Sequence, residues 1–119
     1  HQDSPAKLAR LHKVNEYHFQ QFAYLVNKLE QLPEGDGNML DNTLLMYGTG
    51  ISDSNTHFYD DLPIALVGGQ KTGITGGRYV RYAQDTPLAN LWVTVLAKLG
   101  IPIETFGDST GPLDRLIDV

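Results

Sequence analysis

The chain has no cysteine. That excludes disulfides and thiol catalysis but leaves the compartment open, because exported proteins lack cysteine too. No apolar run approaches the ~20 residues that a membrane-spanning helix needs, so no membrane span is expected. Positive charge is scarce: 9 lysines and arginines stand against 14 aspartates and glutamates, for a net charge of -5 and a pI near 5.1. There is no basic stripe to neutralise phosphates, so nucleic acid is not an expected partner. Internal repeats and low-complexity tracts are absent as well.

What is present suits a folded globular chain. Hydrophobic residues make up 41% and charged residues 19%, a balance unlike that of disordered sequences. A length of 119 residues allows one domain, 1–119, with a core of its own. The chain opens on His1 without a methionine or a signal peptide, which reads as a processed product or a piece of something longer. A targeting signal would then belong to the missing part.

Residues 42–69 organise the rest. They read as strand, polar loop, strand. Residues 43–47 and 62–67 are short apolar runs without alternation, the pattern of strands covered on both faces. Between them lie Ser52, Asp53, Ser54, Asn55, Thr56, His57, Asp60 and Asp61. A polar connection of that length is more often functional than accidental. Asp53 and His57 stand out, because a carboxylate and an imidazole are suitable ligands for zinc and similar metals. The plainer reading is a surface loop with ordinary turn chemistry.

Helices flank this stretch. Ser4 and Pro5 predict an N-cap and a first helical position. Leu8, Leu11, Phe19, Phe22, Leu25, Val26 and Leu29 then form one apolar stripe, with Asn15 and His18 on it, over about 5–32. His18 reads as a packed, hydrogen-bonded histidine, and His12 as surface or boundary. Pro33 and the Gly35-Asp36-Gly37 turn end the helix. After the second strand, glycines 68, 69, 73, 76 and 77 lead to a short strand over 78–82; the glycine spacing is not that of a phosphate loop. Lys71, Arg78 and Arg81 read as solvated. Thr86 and Pro87 start a second helix over about 87–99. Its buried stripe is Leu88, Leu91, Trp92, Val95, Leu96 and Leu99, with Asn90 and Thr94 on other faces. Gly100 and Pro102 close it. The tail has no clear periodicity, and Asp108 is its candidate for a hydrogen bond to the core. The pattern predicts a layered α/β arrangement: a small mixed or parallel sheet flanked by two long helices. So small a sheet looks like the edge of a larger one.

Several runs together carry a resemblance. Residues 15–29, 40–50, 53–57 (Asp53, Ser54, Asn55, Thr56, His57), 61–69 and 106–112 resemble the C-terminal part of a bacterial family of unknown function named for an HxxSHH motif. The likeness spans nearly the whole chain. In that family the naming motif lies just before the long helix, so His1 stands where its last histidine would fall. The family is similar in layout to the alkaline phosphatase and sulfatase superfamily, whose late strand delivers metal ligands through Asp-His-Gly. Here Asp53 and His57 are four apart and Asp-His-Gly is absent. The resemblance implies an alkaline-phosphatase-like C-terminal portion of a longer α/β domain. It also implies export to the periplasm or medium.

Three readings follow as expectations. One is a metal-dependent hydrolase of phosphate or sulfate esters, with Asp53, His57 and His1 holding zinc or manganese. Ser52 and Thr49 are nucleophiles by type only, since the superfamily takes its nucleophile from an earlier strand; this stretch alone would then be inactive. Another is a non-catalytic binding or structural domain that keeps the layout without the chemistry. A third is a small stand-alone domain that oligomerises to cover its sheet edges; the expected partner of the chain is accordingly the upstream part of the same polypeptide or a second copy.

Overall fold

A computed structural model describes residues 4–114 of the chain. The chain is a small α/β protein with two helices and two small antiparallel sheets. It divides into two compact units, His1–Gly68 and Gly69–Val119.

The first unit begins with helix α1, Pro5–Glu30. Ser4 is its N-cap, in extended conformation, and its carbonyl accepts the Leu8 N–H at 3.0 Å. The Ser4 hydroxyl makes no capping bond, so the fixed φ of Pro5 rather than a side-chain cap sets the start. The helix closes just before Pro33, where Leu32 N–H reaches back to the Leu29 carbonyl.

A tight hairpin follows where the sequence predicts only a turn. Strands β1, Pro33–Glu34, and β2, Gly37–Asn38, pair antiparallel. Gly35 opens the two-residue loop at φ 62°, a left-handed conformation that glycine enters without strain. The Asn38 N–H donates to the Asp41 carboxylate at 3.0 Å, and the Asp41 N–H donates to the Asn38 side-chain oxygen at 3.1 Å. This reciprocal pair directs the chain into the second sheet.

That sheet is β3, Leu44–Gly48, paired with β4, Ile64–Gly68. The expected runs are strands, but their pairing is antiparallel, with Leu45 opposite Val67 and Tyr47 opposite Ala65. A parallel or mixed sheet was expected. Parallel neighbours need a crossover, usually helical; residues 49–63 form a returning loop and contain no helix. Tyr47 lies between α1 and the sheet, its ring 5.5 Å from Phe19 and 5.0 Å from Phe22. Gly68 ends β4 at φ 84°, against the Thr43 carbonyl and Leu40, where no Cβ would fit.

In the second unit, Gly69 and Gly73 bracket a single 3-10 turn, Gln70–Thr72, both with positive φ. Residues 78–82 are not a strand. Their alternation is genuine, but no neighbouring backbone takes up the ladder that defines a strand. Helix α2 is Ala89–Lys98, shorter than the expected 87–99. Its entry is a tightened turn in which Asn90 N–H donates to the Pro87 carbonyl and Leu91 N–H to the Leu88 carbonyl. Its exit is as expected. Gly100 has φ 80°. Its N–H donates to the Ala97 carbonyl and that of Ile101 to the Leu96 carbonyl at 2.9 Å, which is the Schellman pattern.

The buried apolar residues among those described, Leu91, Val93, Val95 and Leu113, all lie in this unit. The expected stripe is corrected in part. Leu88 and Leu99 are exposed and Trp92 and Leu96 only half-buried, whereas Asn90, Val93 and Thr94, outside the stripe, are buried. The tail supplies the reason. The Asn90 side chain accepts the Thr110 N–H at 2.8 Å and donates to the Thr110 hydroxyl at 3.1 Å. One turn on, the Thr94 hydroxyl accepts the Leu113 N–H at 2.7 Å. The two polar residues share a face at i and i+4 and fasten the tail along it. Asp108, the expected link, is exposed instead.

Candidate functional site

The loop 49–63 is built from its own hydrogen bonds. The Thr49 hydroxyl donates to the Ile51 carbonyl at 3.0 Å and accepts the Ile51 N–H at 3.2 Å. Asp53 and Phe58 exchange backbone bonds: Phe58 N–H to the Asp53 carbonyl at 3.1 Å, Asp53 N–H to the Phe58 carbonyl at 3.3 Å. The Ser52 hydroxyl also donates to the Phe58 carbonyl, at 3.1 Å. Residues 54–57 therefore cap a miniature hairpin, and His57 makes its last bend at φ 58°.

Asp53 holds that cap from inside. One carboxylate oxygen accepts the Asn55 N–H at 2.8 Å, and the other accepts the Thr56 hydroxyl at 3.0 Å. These bonds favour the charged form. The Asn55 backbone bond first, and the Thr56 hydroxyl second, hold the carboxyl below its ordinary value of 3.8. The ordinary turn chemistry of a surface loop is thus present at 53–58, with Asp53 as the acceptor.

For the predicted ligands the geometry is specific. Asp53 and His57 lie in one exposed turn. Among the described residues no three or more of His, Cys, Asp and Glu come together as a group able to hold a metal. His1 lies outside the described residues. The two nucleophiles named by type are both occupied: the Ser52 and Thr49 hydroxyls donate to backbone carbonyls of their own loop, and neither donates to an imidazole that could act as base. Lys71, Arg78 and Arg81 are exposed. Among the described residues, no helix is long and apolar enough to cross a membrane.

A second feature, visible in the sequence as a stripe but not as a site, is α1 itself. None of its residues is buried. Leu8 is 46% exposed, Leu11 39% and Leu25 45%. His18, expected to be packed, is exposed, its ring 6.0 Å from that of Tyr17. The Tyr47 ring meets α1 at Phe19 and Phe22, in the middle of the helix. Only Phe22, Val26 and Leu29 are even half-buried, so the N-terminal turns carry the stripe on uncovered. Single exposed apolar residues mean little, but several on one helix leave an uncovered apolar face, interrupted by Asn15 and His18. The chain matches no family model, no curated protein and no solved structure.

Proposed function

We propose that this chain is a non-catalytic binding or structural unit, and that α1 carries its binding face. One observation carries the reading: α1 runs for 26 residues with an apolar stripe and buries none of them. Helices in proteins owe most of their stability to packing of the apolar face, so the stripe needs a partner. The β3–β4 pair supports the same reading. A lone two-stranded sheet is marginal in water, and Met46 on it is 39% exposed. In this reading the hairpin is the border of a layered, alkaline-phosphatase-like sheet in an exported protein. The test is amide exchange together with binding of a hydrophobic dye on dilute protein. Fast exchange along residues 5–21 with dye binding is expected. Slow exchange there in a monomer that leaves the dye unbound would overturn the reading.

A second reading, a metal-dependent phosphate or sulfate ester hydrolase, is favoured by the ionised Asp53 carboxylate on the loop that leaves the end of β3. Asp53, His57 and His1 would hold zinc or manganese, which would polarise the ester and activate a nucleophile. Titration calorimetry with zinc and with manganese tests it. Binding at about micromolar strength or weaker, lost in His57→Ala, is expected; no heat with either ion removes this reading.

A further inference from the structure

From the face of α1 we infer that its occupant is the α1 helix of a second copy, laid antiparallel. The inference rests on the binding-unit reading above and adds the partner and the register. Leu8, Leu11, Asn15, His18, Phe22 and Leu25 follow one another in alternating steps of three and four. That is the a and d spacing of a two-helix seam. The order along the seam is apolar, apolar, polar, polar, apolar, apolar, which reads the same from either end. An antiparallel copy therefore sets Leu8 against the second Leu25, Leu11 against the second Phe22, and Asn15 against the second His18. The amide and the imidazole bring complementary donors and acceptors to the middle of the seam. A polar residue at an a position is the device that fixes register in such pairs.

A parallel pair would also align like with like, but its charges oppose it. Lys7, Arg10 and Lys13 all lie in the first third of α1, with Lys7 at a g position and His12 at an e position. In parallel these basic turns would lie side by side and the two helix dipoles would point the same way. The antiparallel pair separates the basic turns and opposes the dipoles. Phe19 and Phe22 meet Tyr47, so Phe22, half-buried there, is where the seam adjoins the hairpin, whereas Leu8, Leu11 and Leu25 stay exposed.

The absence of cysteine makes the register directly readable. The wild-type chain should sediment at twice its 13.2 kDa mass. Leu8→Cys mixed with Leu25→Cys should cross-link on mild oxidation, while Leu8→Cys alone should not. Leu11→Glu should weaken association about tenfold or more, since each 1.4 kcal/mol is a factor of ten. It should leave the far-ultraviolet spectrum of the dilute monomer unchanged, because Leu11 is exposed there. A Leu8–Leu8 cross-link would overturn the antiparallel register. A dimer indifferent to Leu11→Glu would place the contact at the open strand edges and overturn the inference. A monomer with fast-exchanging, dye-binding α1 overturns the second copy alone and leaves the binding unit standing. A monomer with a protected α1 overturns both.

Discussion

The two helices of this chain invert the usual relation between length and burial. α1 has 26 residues and buries none, whereas the ten residues of α2 include Asn90, Leu91, Val93, Thr94 and Val95, all buried. The long helix has the longer stripe and the better start signal. The short one has a folded-back tail. A stripe states what a helix can bury, and burial itself depends on what the rest of the chain brings to it. In unit 2 the tail delivers Thr110 and Leu113 to the helix through named hydrogen bonds. In unit 1 the Tyr47 ring meets α1 at Phe19 and Phe22, and no residue of α1 becomes buried.

The sharpest way to break this comparison is to make the same substitution in both helices. Leu91→Ala removes a side chain that is only 4% exposed and should cost about 2–5 kcal/mol. Leu11→Ala, in dilute monomeric protein, should stay within about 0.5 kcal/mol. Denaturant titrations of the two variants decide it. Equal losses would mean that α1 is as much a part of the core as α2.

These contrasts also mark what the sequence can tell. The start of α1 was legible because Pro5 acts locally, and the end of α2 because Gly100 does too, whereas α2 starts only at Ala89, two residues past Pro87. The apolar runs at 43–47 and 62–67 were legible as strands, since composition alone marks them. Their antiparallel pairing was not. A run that is apolar throughout carries no face and hence no register, and nothing in it says whether the chain returns directly or crosses over. The placement of Asn90 and Thr94 was missed because they looked polar and therefore outward. Their burial becomes intelligible only with the tail's N–H groups opposite them, and contacts across some twenty residues of sequence leave no periodic trace. At the loop, Asp53 was singled out as a ligand, whereas its local spacing to Asn55 and Thr56 already spelled an Asx turn.

A smaller effect tests the fastening of the tail. Asn90→Ala leaves the Thr110 N–H and hydroxyl without their present partner. It should cost about 1–3 kcal/mol, below the Leu91 loss or level with its lower end. The signature is local: amide exchange at Thr110 should speed up more than exchange within α2, and Thr94→Val should do the same at Leu113. If Asn90→Ala instead loosened the whole helix evenly, the tail would be part of one cooperative core rather than a strap across it.

The smallest effect separates the two units by pH. The 53–58 turn is held by an ionised carboxylate, the tail by neutral amides and hydroxyls. Because its bonds to Asn55 and Thr56 hold the Asp53 carboxyl below the ordinary value, the folded turn binds its proton less readily than the unfolded chain does. The contribution is then fully present above the ordinary aspartate range and disappears as pH falls through the depressed folded value. The group is exposed, so water shares the charge and the effect on global stability is slight; the readout must be local. On acidification the Asn55 amide resonance should move and the Phe58 amide should exchange faster relative to its intrinsic rate, while Thr110 and Leu113 hold their protection. Asp53→Asn keeps an acceptor oxygen for the Asn55 N–H but has no proton to gain, so it should abolish the pH dependence. That control also separates Asp53 from the neighbouring carboxylates Asp60 and Asp61. An Asn55 amide that still titrates in Asp53→Asn would assign the turn's acid sensitivity to a group other than Asp53.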